Sequence, residues 1–174
     1  QGIFFEDINH AADGGLYGEM IRNRAFEFSP MDNPSYQALT AWKRIEEGGA
    51  SVSSFVSNKS PFSKRNPNYL ILEINKAGTR AGIKNLGYNS GIAVKENESY
   101  NFSCYAKSDK PCEITVSIDN AYGEVITEKL LNITSNEWTE YSFTLTSPVD
   151  DFSAVLAVTS KQECKFCLDF VSLF

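Results

Sequence analysis

Residues 99–119 read SYNFSCYAKSDKPCEITVSID, and this stretch decides the fold class. Apolar residues occupy every second position from Tyr100 to Ala106 and again from Ile114 to Ile118. A repeat of two sends alternate side chains to opposite faces of a strand, so each part predicts a half-buried β-strand. The intervening KSDKP, residues 107–111, is rich in turn-forming residues and predicts a hairpin between the two strands.

The same alternation continues on both sides of this stretch, from about Leu70 to the end of the chain. Helical periodicity is scarce, and turn-forming residues separate the segments. About eight or nine short antiparallel strands are typical of an all-β fold, a jelly-roll β-sandwich of two antiparallel sheets. Further strands are predicted at Leu70–Ile74, Ile92–Lys95, Gly123–Leu130, Trp138–Thr146, Ser153–Thr159 and Lys165–Leu173.

The first third of the chain has a different pattern. Leu16–Phe28, LYGEMIRNRAFEF, predicts a short amphipathic helix that runs into a strand at Arg24–Phe28. Residues 29–35, SPMDNPS, predict a loop because proline, asparagine and serine favour turns.

Length and charge limit the possible functions. The 174 residues suffice for one domain of ordinary size, but not for a (β/α)₈ barrel of about 250 residues. The net charge of -6 argues against nucleic acid or an anionic membrane as partner, since both attract basic surfaces. We find no apolar window of about 20 residues and no signal-peptide pattern at the start. A neutral or cationic partner remains open.

The four cysteines are Cys104, Cys112, Cys164 and Cys167, and the single histidine is His10. This spacing matches zinc sites poorly, because such sites usually have two close ligand pairs. Cys104 and Cys112 share the inward parity of their apolar neighbours. They are therefore interpreted as free buried thiols or as a disulfide across the predicted hairpin, with a metal or redox role as the third alternative.

Three blocks in order carry a family resemblance. They are MIRNRAFE at 20–27, GYNSGIAVKENESYNFSCYAKS at 87–108, and EWTEYSFTL at 137–145 followed by CLDFVSLF at 167–174. This order resembles the β-sandwich carbohydrate-binding modules of the group that includes families 4, 9 and 22. The resemblance covers residues 20–174 and implies a non-catalytic, sugar-binding sandwich.

The opening block GIFFEDINHAADGGLYGEMIRNRAFEF, residues 2–28, narrows the resemblance. It is similar to the start of the catalytic region of family 51 α-L-arabinofuranosidases in which such a module interrupts a (β/α)₈ barrel after its first strand. The resemblance implies that residues 1–19 are that strand and its turn, and that residues 20–174 are the module. The catalytic glutamates would then lie on later barrel strands, while Glu6 matches a glutamate that helps to hold the arabinofuranose ring.

The resemblance also implies a structural calcium ion. Modules of this group hold Ca²⁺ with the glutamate of the first strand, the aspartate of the last strand and backbone carbonyls. Those carboxylates are Glu27 and Asp169 here, and hard oxygen ligands suit calcium. The alternative is that each carboxylate pairs with a cation such as Arg22 or Arg24.

Sugar binding in proteins rests on exposed aromatic rings supported by amides and carboxylates. Tyr88 and Tyr122 lie in turn-like settings and are the main candidate platforms. Trp42 is as compatible with the core as with a platform, and so is Trp138. Tyr69 and Phe62 are further platform candidates. The residues predicted to supply hydrogen bonds to the sugar are Asn85, Asn89, Asn120 and Glu124. Asn85 and Asn89 are equally good turn formers.

The expected function is therefore that of a carbohydrate-binding module that directs an arabinofuranosidase to arabinose-substituted hemicellulose, such as arabinoxylan or arabinan. The expected partners are a plant cell-wall polysaccharide and the rest of the barrel, with no nucleic acid and no membrane. We expect the parent protein to be extracellular or in the cell envelope. The alternative is a structural insert that packs on the barrel without binding sugar.

Overall fold

The computed structural model describes residues 18–174, where it contains eleven β-strands and no α-helix. Within this part no helix is long and apolar enough to cross a membrane. In chain order the strands are β1 Trp42–Glu47, β2 Ser51–Ser57, β3 Tyr69–Lys76, β4 Arg80–Asn85, β5 Ile92–Val94, β6 Ser99–Lys107, β7 Cys112–Asp119, β8 Val125–Ile133, β9 Thr139–Thr146, β10 Asp151–Thr159 and β11 Cys164–Leu173.

The strands form two antiparallel sheets packed face to face. The six-stranded sheet has the order β1-β4-β10-β7-β8, with β5 also paired to β10. The five-stranded sheet has the order β2-β3-β11-β6-β9. Inward side chains such as Phe102, Ile118 and Phe166 are fully buried between the sheets, each stabilising the fold by about 1.5–3 kcal/mol. The predicted all-β sandwich is confirmed.

The predicted hairpin between the strands at 99–106 and 113–119 is wrong. β6 pairs with β9 and β11 in one sheet, whereas β7 pairs with β8 and β10 in the other. The segment between them crosses from sheet to sheet, and buried Ser108 fixes it. Its hydroxyl donates to the Lys165 carbonyl at 3.0 Å, and its N–H donates to the Ser135 carbonyl at 2.9 Å. Alternation identifies a strand but does not identify its neighbour.

The cysteine pairing predicted across that hairpin is therefore wrong as well. Cys104 lies in the five-stranded sheet and Cys112 in the six-stranded sheet, and the thiol that Cys112 faces is Cys164. Cys104 and Cys112 are both buried, as their inward parity predicted.

The sequence pattern did not predict three of the strands, β1, β2 and β4. β1 has buried residues three apart, Trp42 and Ile45, and so lacks the period of two. β2 contains four serines among its seven residues, and β4 contains Gly82, which weakens a strand pattern. Their pairing with well-formed neighbours, rather than their own composition, holds them in the sheets.

The helix and strand predicted within residues 16–28 are wrong where the structure describes them. Residues 18–28 form turns, with Asn23 and Phe26 at φ 56° and 57°. Buried Asn23 holds this turn segment in place. Its side-chain Nδ2 donates to the carbonyls of Ala38 at 2.8 Å and Thr40 at 3.0 Å. Because these partners lie far along the chain, tertiary contacts override local propensity here. The loop predicted at 29–35 is confirmed.

This turn segment joins the beginning of the described chain to its end. The N–H of Met20 donates to the Leu173 carbonyl at 2.9 Å, and that of Val171 donates to the Arg24 carbonyl at 3.0 Å. The Glu19 carboxylate accepts from the N–H of Leu173 at 2.8 Å. Entry to and exit from the sandwich therefore lie side by side.

Candidate functional site

The two predicted platforms lie in loops at the same end of the six-stranded sheet. Strands β4 and β7 flank β10 and run in the same direction, so that Asn85 and Ile118 both lie opposite Leu156. Tyr88 lies in the loop after β4, and Tyr122 lies in the turn after β7. From this common end the two loops make different contacts.

The turn at residues 120–124 is built by its own side chains. Asn120 Oδ1 accepts from the N–H groups of Tyr122 at 2.9 Å and Glu124 at 3.0 Å, and Asn120 Nδ2 donates to the Glu124 carboxylate at 2.9 Å. Gly123 supplies the left-handed geometry that the turn requires, at φ 85°. The Tyr122 side chain is 91% exposed. A braced turn thus presents an aromatic ring to solvent at low entropic cost.

A buried polar network lies under this turn. The Arg80 guanidinium donates to the Gly123 carbonyl at 3.2 Å and forms an ion pair with Asp119 at 2.7 Å. Ser117 Oγ donates to Asp119 Oδ1 at 2.7 Å and accepts from Arg80 at 3.3 Å. Because Gly123 and Ser117 are neutral partners that complete the pair's hydrogen bonding, the network fixes the turn against the outer face of the sheet.

Two small side chains on that outer face lie beneath the turn, because the Gly123 carbonyl reaches Arg80 of β4 across β10. Ala157 and Ser117 are register partners that strand alternation turns away from the core, yet both are fully buried. The turn and the longer side chains beside them must therefore rise above them. Next to these residues β4 presents Lys84, opposite Ala157, and β8 presents the 64% exposed Leu130. The exposed ring of Tyr122 and these side chains form the surface that a ligand could contact here.

The loop of Tyr88 is organised differently. Tyr88 is half-buried, and its carbonyl accepts from the N–H of Gly91 at 3.0 Å. Asn89 is exposed at φ 53°, which is the geometry of a turn former. Asn85 is fully buried: its Nδ2 donates to the Arg22 carbonyl at 2.8 Å and its Oδ1 accepts from the N–H of Gly87 at 2.9 Å. The prediction that Asn85 contacts sugar is corrected, since no surface of it is available.

The outer face of the five-stranded sheet carries a cluster of aromatic residues that pack on one another. Phe62 stacks on Tyr105 with 3.8 Å between ring centroids, and Trp138 Nε1 donates to the Ser60 carbonyl at 3.2 Å. The loop at 58–68 thus packs on part of this face, and Phe62 remains 39% exposed. Of the remaining platform candidates, Trp42 and Tyr69 are buried, so Trp42 belongs to the core.

The two predicted calcium ligands repel each other. Asp169 is fully buried; its Oδ1 accepts from the N–H of Phe170 at 2.9 Å, and its Oδ2 has no hydrogen-bond partner. Burial, reinforced by the charge of Glu27, raises the pKa of Asp169 to about 8, although nearby Arg24 opposes the shift. Burial also raises the pKa of Glu27, which accepts from the N–H of Asn68 at 2.7 Å.

An unpaired buried carboxylate oxygen beside a second carboxylate is a donor set that a hard cation would satisfy. Of the two alternative partners, Arg24 pairs with Glu19 at 3.3 Å, and Arg22 lies over the rings of Phe28 and Tyr36. No cluster of three or more histidine, cysteine, aspartate or glutamate side chains occurs in residues 18–174. Backbone carbonyls would have to complete the set. Glu6 lies outside the described residues.

A family model described as "Carbohydrate binding domain", covering types 4 and 9, matches residues 18–165. The chain belongs to this family. The carbohydrate binding domain is also similar to the "Extracellular exo-alpha-L-arabinofuranosidase" of Streptomyces chartreusis, at 39% identity over 99% of this chain and 19% of that protein. It spans only about a fifth to a quarter of the curated relatives that it matches, with 19%, 21% and 26% for three of them.

Solved structures support the same assignment. The domain superposes on the arabinose-bound MgGH51 α-L-arabinofuranosidase with a TM-score of 0.76 and 28% identity, over 97% of this chain and 28% of that one. A structure titled "CBM4 structure and function" matches with a TM-score of 0.60 and 21% identity, over 88% of this chain and 97% of that one. The second likeness shows the fold alone.

Three polar residues of the candidate site were missed from the sequence: Arg80, Ser117 and Asp119. Ser117 carried a partial signal, because strand alternation placed it on the polar face of β7. Nothing local indicated that Arg80, from another strand, would reach it. The sequence did identify the exposed ring of Tyr122 and its partners Asn120 and Glu124, which the structure brings together in one turn.

Proposed function

We propose that this carbohydrate binding domain binds arabinose-substituted hemicellulose, such as arabinoxylan or arabinan, and so directs an α-L-arabinofuranosidase to its substrate. The observation that carries the proposal is the exposed ring of Tyr122 on a braced turn at the outer face of the six-stranded sheet. The ring can stack on the C–H face of a sugar, while the exposed Glu124 carboxylate accepts from sugar hydroxyls. The arabinofuranosidase names of the relatives support the choice of glycan.

Affinity electrophoresis tests this proposal. The domain is run with calcium through gels that contain arabinoxylan, arabinan, unsubstituted xylan or no polysaccharide. We expect retardation by the arabinose-substituted polymers and a loss of roughly tenfold or more in affinity for Tyr122→Ala. The control is Phe55→Ala, since Phe55 is 46% exposed on the other sheet. Unretarded folded wild-type domain, or a Tyr122→Ala variant retarded like wild type, contradicts the proposal.

The domain is proposed to be non-catalytic. Retaining glycoside hydrolysis requires two accessible carboxylates about 5–5.5 Å apart on either side of the scissile bond. Glu27 and Asp169 are carboxylates that influence each other electrostatically, but Asp169 is fully buried and so not accessible to a substrate. In a whole enzyme Glu6 would help to hold the arabinofuranose ring, and the catalytic glutamates would lie on barrel strands outside this sequence. Release of 4-nitrophenol from an aryl arabinofuranoside by the isolated domain would overturn this assignment.

The domain layout is likewise a proposal. Residues 1–19 would be the first strand and turn of the catalytic barrel, and residues 20–174 the inserted module, within an extracellular or cell-envelope parent. The adjacent entry and exit support insertion, because a domain whose ends meet can interrupt another without distorting it. The same observation favours a second candidate function, a structural insert that packs on the barrel. No retardation by any polysaccharide, combined with a less stable barrel when residues 20–174 are deleted, would favour this candidate.

We also propose that Glu27 and Asp169 hold a structural Ca²⁺. A bound cation would offset the repulsion between the carboxylates and pair the orphaned Asp169 oxygen. Thermal unfolding should rise in temperature with millimolar calcium relative to chelator, and this difference should vanish in Asp169→Asn. The control is Glu124→Gln, because the Glu124 carboxylate lies in the turn at 120–124. Calcium should raise the unfolding temperature of this variant as it does that of wild type. Equal unfolding temperatures of wild type with and without calcium would reject the site.

A further inference from the structure

Two cysteine thiols meet across the interior of the sandwich. Cys112 begins β7 in the six-stranded sheet, and Cys164 begins β11 in the five-stranded sheet. Both have inward parity, Cys112 with Ile114 and Cys164 with Phe166, so they face each other between the sheets. Their Sγ atoms lie 2.7 Å apart, close enough for a small side-chain rotation to reach the disulfide bond length of about 2.05 Å.

One member of this pair can be reached from solvent. Cys164 is partly exposed and lines a cavity of about 570 Å³ at the end of the sandwich, with Lys107 and Lys165 in its wall, whereas Cys112 is buried. The Cys112 thiol donates a hydrogen bond to Cys164 and lowers the pKa of Cys164 to about 7, while the pKa of Cys112 itself is raised. Cys164 is therefore the attacking sulfur and Cys112 the resolving one.

The other two cysteines do not form such a pair. Cys104 is buried in the five-stranded sheet, and burial raises the pKa of its thiol to about 12. Cys167 is three residues from Cys164 on the same strand, so the two side chains leave opposite faces. Burial raises the pKa of Cys167 as well. Position and reactivity thus single out Cys112 and Cys164.

We propose that Cys112 and Cys164 form an inter-sheet disulfide when the protein meets a disulfide oxidant, such as glutathione disulfide. The Cys164 thiolate attacks one sulfur of the oxidant, breaking its S–S bond and releasing one glutathione thiolate. Cys112 then loses its proton and attacks Cys164 Sγ in the mixed disulfide, releasing the second glutathione. Two protein thiols are oxidised and one disulfide is reduced to two thiols. The inference is independent of sugar binding.

The cross-link ties the two sheets across 52 residues of sequence. The disulfide would reduce the number of conformations open to the unfolded chain without moving either strand of the folded domain. We therefore expect oxidation to raise the unfolding temperature by roughly 10 °C. The proposed oxidising location of the parent enzyme is one in which such bonds persist.

The test is oxidation of the folded domain with glutathione disulfide, followed by alkylation and peptide mapping without reduction. We expect a loss of about 2 Da, a single linkage between the peptides of Cys112 and Cys164, and alkylation of Cys104 and Cys167 only. Cys164→Ser should show no linkage and no rise in unfolding temperature, whereas Cys167→Ser should behave like wild type. If the Cys164→Ser variant fails to fold, the wild-type map alone decides. A linkage that includes Cys104 or Cys167, or none after overnight oxidation, overturns the proposal.

Discussion

Asp119 and Asp169 are both buried aspartates, but their environments differ. Asp119 is neutralised by Arg80 at 2.7 Å and bonded by Ser117. Asp169 has one orphaned oxygen and a repelling neighbour in Glu27. The Oδ2 atom of each residue makes no hydrogen bond, but that of Asp119 is ion-paired with Arg80, whereas that of Asp169 is where the proposed Ca²⁺ would bind. Local sequence does not separate the two cases, because Arg80 and Glu27 lie far along the chain from Asp119 and Asp169.

The raised pKa of Asp169 predicts a pH-dependent stability in calcium-free solution. The pKa is about 8 in the folded domain, against an ordinary value of 3.8. Between these values the unfolded chain releases the proton that the folded domain keeps, so rising pH favours unfolding. Stability should therefore fall as the pH rises from about 4 to about 8.

Urea denaturation at pH 5 and pH 8 in the presence of chelator measures this dependence. Between pH 5 and pH 8 the free energy of unfolding of Asp169→Asn should fall clearly less than that of wild type. The fall that remains is expected from Glu27, whose pKa is also raised. Equal falls for the two proteins would show that Asp169 ionises freely in the folded domain.

At the scale of strands, regular alternation made β6 and β7 predictable. The strands β1, β2 and β4 were not predicted, because their pairing with neighbours holds them in the sheets. Gly82 illustrates why. A side chain there would lie 2.0 Å from the Val158 carbonyl oxygen, so the glycine that interrupts the pattern of β4 is what lets β10 approach. The sheet change between β6 and β7 was unpredictable for the same reason: it depends on which distant strand lies beside each of them.

Gly82→Ala is predicted to lower the free energy of unfolding by roughly 3 kcal/mol or more, because backbone atoms of β10 would have to move. The matched control is Gly49→Ala, where a side chain meets nothing within 4 Å and only the positive φ of 85° is unfavourable. It should lose about 1 kcal/mol. Chemical denaturation of both variants checks the contrast, and equal losses would mean that β4 and β10 do not pack as closely as described.

At the scale of the whole molecule, the two faces of the sandwich differ in availability. The loop at 58–68 packs on the five-stranded sheet and leaves Phe62 39% exposed, while the braced turn on the six-stranded sheet presents Tyr122 at 91% exposure. The sequence predicted the sandwich and the exposed tyrosine, because alternation and turn chemistry are local. It did not predict how the turn at 120–124 is held, because its anchor Arg80 lies on another strand.

The most direct test of the account is a titration of the ¹⁵N-labelled domain with an arabinoxylan oligosaccharide, followed by amide chemical shifts. The account predicts saturable shifts in the turn at 120–124 and in the neighbouring positions of β4 and β7, including Arg80 and Ser117. Shifts confined to the outer face of the five-stranded sheet, or no shifts at millimolar oligosaccharide, would contradict it.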